Sequence, residues 1–175
     1  MNDFLRFLLR GGLILAAFGL SMRQVNSLAA VGSLYFPALW VYAYFPAFKL
    51  PWKQGFLLVL LSGIVIETQI FEFRGLLIPA LILTHVWMRY ESSKPDDFTF
   101  AKHLWFASFA HLFLVVWLTL LHMTRGDSSI GYVGVRFLQD WLCGQLLVLP
   151  LVFLLGYKMD RWWGYREDFH SPRRP

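Results

Sequence analysis

The chain has 175 residues, of which 57% are hydrophobic and 18% aromatic, with a mean hydropathy of +0.51 and a formal net charge of +5. A spanning helix takes about 20 residues, so the apolar stretches leave little chain for a soluble domain. The excess positive charge is read as topology signal and lipid contact rather than nucleic-acid binding, and a single cysteine, Cys143, excludes an intramolecular disulfide.

Six apolar stretches follow one another: Phe4–Met22, Leu28–Phe48, Gly55–Phe71, Gly75–Tyr90, Ala101–His122 and Phe137–Met159. They predict an all-α polytopic membrane bundle of six transmembrane helices over residues 1–161, with a basic cytoplasmic tail at 162–175. If all six span, the side that holds the termini carries 12 Lys and Arg and the opposite side carries 4. Basic residues favour the cytoplasmic face, so both termini are expected there.

The first segment begins with Arg6 and Arg10, which imitate a signal peptide, but no A-x-A cleavage site follows. It is therefore kept as a helix, with a loop at Arg23. Gly12, Ala16 and Gly19 share one face of it, a small-residue stripe suited to internal packing or to docking a partner helix. In the second segment Pro37 should kink the helix. Pro46 and Pro51 mark a turn, with Lys49 and Lys53 on the cytoplasmic side.

The third and fourth segments form a pair. The uncharged run Gly55–Ile66 has 12 residues, roughly 18 Å as helix, too short for a hydrocarbon core of about 30 Å. A spanning helix must therefore carry Glu67, Thr68 and Gln69 with it. The chain turns at Glu72–Gly75 and returns, giving a tight hairpin with an acid near its outer turn. A re-entrant hairpin places the two segments equally well. A polar loop, Glu91–Lys102, leads to the fifth segment, and a turn-rich loop, Thr124–Gly134, follows it. Gln139 and Asp140 open the sixth segment, which Pro150 should bend.

Ionisable groups inside a membrane mark candidate sites. Glu67 and Asp140 qualify, with Arg74 and Arg136 near enough in sequence to pair with them. The candidate set is Glu67, Arg74, Gln139 and Asp140, read as a structural polar cluster or a partner-binding site. His103 and His111 share a helix face, but eight residues is roughly 12 Å, too far for one ion, so no metal and no cofactor are expected. Tyr42, Tyr44, Trp52, Trp87, Tyr90, Trp105, Tyr157, Trp162 and Trp163 read as interfacial anchors. H-E-x-x-H, G-x-S-x-G and Walker patterns are absent, and a non-enzymatic protein is expected.

Residues 55–90 combine an apolar run ending Gly63-x-x-x-Glu67, a short polar turn, Gly75, and a second apolar run closing at Arg89. Residues 139–161 add Pro150 mid-helix and an Asp160-Arg161 close. This pattern resembles the rod shape-determining protein MreD family. The family position commonly held by Asp is Glu67 here, and the tail past Arg161 does not map onto the family pattern. The resemblance implies a bacterial inner-membrane subunit of the elongation complex for lateral peptidoglycan synthesis. MreC would be its direct partner, with MreB, RodA and a class B penicillin-binding protein in the wider complex. A rival of the same size is the substrate-binding S-component of an energy-coupling-factor transporter. In that reading Gly12, Ala16 and Gly19 dock the coupling subunit, while Glu67 and Arg74 line a ligand pocket.

Overall fold

A computed structural model describes residues 3–29, 38–69, 75–93, 100–124 and 130–158. The described residues form six α-helices and no strand: α1 Asp3–Ala29, α2 Trp40–Lys49, α3 Trp52–Gln69, α4 Leu77–Ser92, α5 Phe100–Met123 and α6 Ile130–Val152. A π-helical turn, Phe153–Lys158, continues α6. It follows Pro150, whose missing N–H breaks the regular ladder. Among the described residues two stretches are long and apolar enough to cross a membrane, Phe100–Leu121 and Gly131–Leu155.

Several expected boundaries move. The helix of the first segment does not stop at Met22 but continues through Arg23 to Ala29. Leu28 therefore belongs to α1 and not to the second segment. The described part of that second segment is a helix of 10 residues, roughly 15 Å, half the thickness of a bilayer core. Pro46 lies inside α2, and the turn comes at Leu50–Pro51 instead. The sixth helix starts at Ile130 rather than Phe137, so Gly131 and Gly134, read as loop, are helical. Pro37, Arg74, the Asp160-Arg161 close and the tail at 162–175 lie outside the described residues.

The short helix α2 is the centre of the molecule. Trp40, Val41, Ala43, Tyr44, Phe45 and Ala47 are all fully buried, and only Tyr42, Phe48 and Lys49 are partly exposed. It packs against α3, α4 and α5, while α1 packs on α3, and α6 packs on α5. Tyr44, expected as an interfacial anchor, is a core residue. Its hydroxyl meets His103 Nδ1 at 2.8 Å, which satisfies the polar tip inside the fold. Trp52, Tyr90 and Trp105 are exposed.

Contacts between helix ends set the alternation. Gly11 of α1 abuts Leu50 and Leu58, and Gly19 abuts Tyr42. Arg89, at the end of α4, reaches the end of α2. Trp117, late in α5, reaches the start of α4. Arg10, Lys49, Lys53, Arg89 and Lys102 therefore gather at one end of the bundle, and Arg23 and Arg136 lie toward the other. This matches the charge sorting expected from the sequence for the described residues.

Glycine sets the closest approach of one helix to the backbone of another. A Cβ on Gly55 would stand 2.9 Å from the Pro46 carbonyl oxygen and 3.1 Å from His85 Cε1. Backbone cannot yield as a flexible side chain can. Gly55→Val should destabilise the protein by about 1–3 kcal/mol, the usual cost of overpacking, read as a lowered melting temperature in detergent. An unchanged melting temperature would show that the α2–α3 approach is looser than this geometry.

Candidate functional site

The α3–α4 hairpin is built from the residues that carry the sequence pattern. Its turn needs a left-handed residue, and Gly75 supplies it at φ +88°, a conformation glycine adopts without steric cost. Gly63 lets the two helices close: a Cβ there would lie 3.0 Å from Ile78 Cγ1 and 3.6 Å from Leu81 Cδ1. Glu67 stands one turn beyond Gly63 on α3, so its carboxylate faces the beginning of α4.

The first amides of any helix lack internal partners. In α4 Leu77 and Ile78 both donate to Glu67 Oε1, at 2.6 and 3.0 Å. The next residue, Pro79, has no N–H to satisfy. The helix has no side-chain cap of its own at Leu76, so its cap comes from the preceding helix. The negative charge also meets the positive end of the helix dipole. Trp117 of α5 donates its Nε1–H to the Leu76 carbonyl oxygen at 3.0 Å, which ties a third helix to the same corner.

The opposite end of α4 repeats the logic with the sign reversed. Arg89 Nη1 donates to the carbonyl oxygens of Ala47 and Leu50 at 2.8 and 3.1 Å. These acceptors close the C-terminal end of α2, where a cation is favoured. One turn earlier, the buried His85 donates from Nδ1 to the Ala43 carbonyl oxygen at 3.3 Å. Its ring stacks on Trp52, with centroids 5.7 Å apart. Gly55 leaves the space this ring occupies.

The other candidate residues lie elsewhere. Asp140 is held within its own helix by Arg136, at 3.1 Å and spacing i, i+4. Gln139 lies beside it in α6, half-buried. His111, buried in α5, donates from Nε2 to the Trp141 carbonyl oxygen at 3.2 Å. Neither acid joins the other: Glu67 serves the hairpin, Asp140 serves α6, and α3 and α6 are not a packed pair. Arg74 lies outside the described residues. Among the described residues no three His, Cys, Asp or Glu side chains converge on a point.

The stripe on α1 is divided. Gly12 is half-buried beside Leu58, Gly19 faces the Tyr42 hydroxyl, and Ala16 is exposed. The inward line of α1 is Gly11, Leu15, Phe18 and Met22, offset by about one residue. Leu15 is buried and Phe18 meets Tyr42 edge-on at 5.8 Å.

Sequence reasoning found Glu67, Gly63, Gly75 and Arg89 but not what they hold. It missed Pro79 as part of the cap, Trp117 as its second anchor, and Gly55 with His85 as a close-packed joint. Pro79 three residues into a helix is a recognisable start signal. The other two have no local signal. No protein-family model matches the chain, and no significant match was found among curated proteins or solved structures.

Glu67→Ala should remove both amide contacts and lower stability by about 1–3 kcal/mol. Glu67→Gln keeps an acceptor oxygen and should recover part of that loss. The pair of melting temperatures in one detergent checks this, and equal values for Ala and wild type would rule out the capping role.

Proposed function

We propose that this protein is a non-enzymatic, multi-pass subunit of a bacterial inner membrane, of the MreD type, which holds MreC within the cell-wall elongation complex. The observation that carries the reading is the α3–α4 hairpin. Gly63, Glu67 and Gly75, three of the residues that carry the resemblance, close it, and Arg89 near its far end holds carbonyl oxygens of α2. The acidic position takes Glu in place of the family's common Asp, and it still reaches two backbone amides.

The membrane setting is supported by the surface. Along α6 and the π-helical turn that continues it, Val135, Leu138, Leu142, Leu146, Leu149 and Phe153 are all exposed, Leu146 at 73%. Soluble monomers rarely expose continuous apolar bands of this kind. The end that collects Arg10, Lys49, Lys53, Arg89 and Lys102 is then the cytoplasmic one. The apolar outer faces of α1 and α6 would meet lipid and partner helices.

Affinity capture of the tagged protein from its native membrane in mild detergent, read by mass spectrometry, tests the reading. Recovery of MreC together with RodA and a class B penicillin-binding protein is the expected result. Recovery of an ATPase pair with its coupling subunit would overturn it in favour of a transporter S-component.

A further inference from the structure

Gln145 is the only polar side chain between Gly144 and Gly156. It lies within the stretch Gly131–Leu155, roughly 21 Å from its first residue and roughly 15 Å from its last at 1.5 Å per residue. In the membrane reading that depth is inside a hydrocarbon core of about 30 Å. The residue is half-buried, and among the described residues nothing hydrogen-bonds its carboxamide. A carboxamide offers two N–H donors and an acceptor oxygen. Acyl chains satisfy none of them, and leaving them bare in an apolar medium is costly. Lipid can cover the leucines around Gln145 but not Gln145 itself.

The neighbours on its face form a seam. Gly131, Val135, Leu138, Leu142, Gln145 and Leu149 follow at spacings of 4, 3, 4, 3 and 4, the heptad pattern by which two helices supercoil together. Val135, Leu138, Leu142 and Leu149 are each more than half exposed. A Cβ on Gly131 would meet nothing within 4 Å, so the first turn of the seam is open to a close neighbour. The opposite side of α6, where Gly144, Val148 and Val152 are buried, is the one turned to the core. No charged residue lies on the seam.

We infer that this seam is the interface with a second copy of the chain, α6 against α6 across a twofold axis along the membrane normal, with the two Gln145 carboxamides bonded to each other. The inference rests on the membrane reading above and not on the identity of other partners. Two copies inserted with the same topology present α6 in parallel, so identical residues meet at equal depth. A carboxamide is its own complement: each donates an N–H to the oxygen of the other, and one contact satisfies both. A single polar residue in an apolar heptad seam also fixes the register, because a shift along the helix would leave it facing hydrocarbon.

The test uses detergent-extracted full-length protein, with the dimer dissociation constant read by sedimentation equilibrium. Wild type should dimerise. Gln145→Leu should weaken the dimer about tenfold, the worth of one or two hydrogen bonds between membrane helices. Gln145→Asn keeps a carboxamide and should recover part of that loss. Oxidative cross-linking in the native membrane reads the same seam without touching Gln145. Leu142→Cys in a Cys143→Ser background should give a cross-linked dimer. The unaltered Cys143, one residue on and about 100° around the helix, should not. Leu142 is exposed, so its result holds even if a Gln145 variant fails to fold. A Gln145→Leu dimer as tight as wild type, or equal cross-linking at residues 142 and 143, would overturn the inference. Protein that needs detergent for extraction yet stays monomeric overturns the dimer alone, whereas recovery in the soluble fraction overturns the membrane reading beneath it.

Discussion

Helix ends must find partners, and in this protein the partners are other helices. Water normally satisfies the free amides and carbonyls at a helix terminus. Inside an apolar setting that option is absent, and each unsatisfied group is costly. Helix α4 meets this constraint at its start and serves it at the end of α2, while its own last carbonyls are met locally by Ser92 and Ser93. The Glu67 carboxylate holds its first two amides, and its own Arg89 holds the final carbonyls of α2. The rest of the packing follows from these two corners, because they set the positions of α2, α3 and α4 relative to one another.

Once those corners are closed, the glycines become necessary. Gly63 lets α3 approach α4 where Glu67 must reach across, and Gly55 lets α3 approach α2 beside His85. A larger residue would press on the Ile78 side chain at the first site and on the Pro46 carbonyl oxygen at the second. Helix α2 then sits largely enclosed, with only Tyr42, Phe48 and Lys49 partly exposed. Its buried polar groups turn inward, as the Tyr44–His103 contact does.

In the proposed reading Gly63, Glu67, Gly75 and Arg89 are scaffold residues, the first three engaged inside the hairpin and Arg89 on the end of α2. In the proposed reading, partner choice must come from the outward surfaces, which are the apolar stripe of α6 and the open side of α1 around Ala16. The Arg136–Asp140 pair belongs to the same outer portion of α6. Bound within one helix, it brings two charges into an apolar segment at lower cost than either alone.

The sequence by itself determined that the chain is helical and apolar, where most helices run, and that cationic residues sort to one end. Those properties follow from composition and period, which are local. It also pointed to Glu67, Gly75 and Arg89, because an acid, a glycine and a base interrupt otherwise uniform apolar runs. Tertiary structure alone decided what each one touches. Glu67 lies 10 residues from the amide it caps, and Arg89 lies 42 from a carbonyl it holds, separations no spacing rule predicts. It also decided that α1 runs on to Ala29 and that α2 is a short buried core, because hydropathy records how apolar a segment is and not what surrounds it.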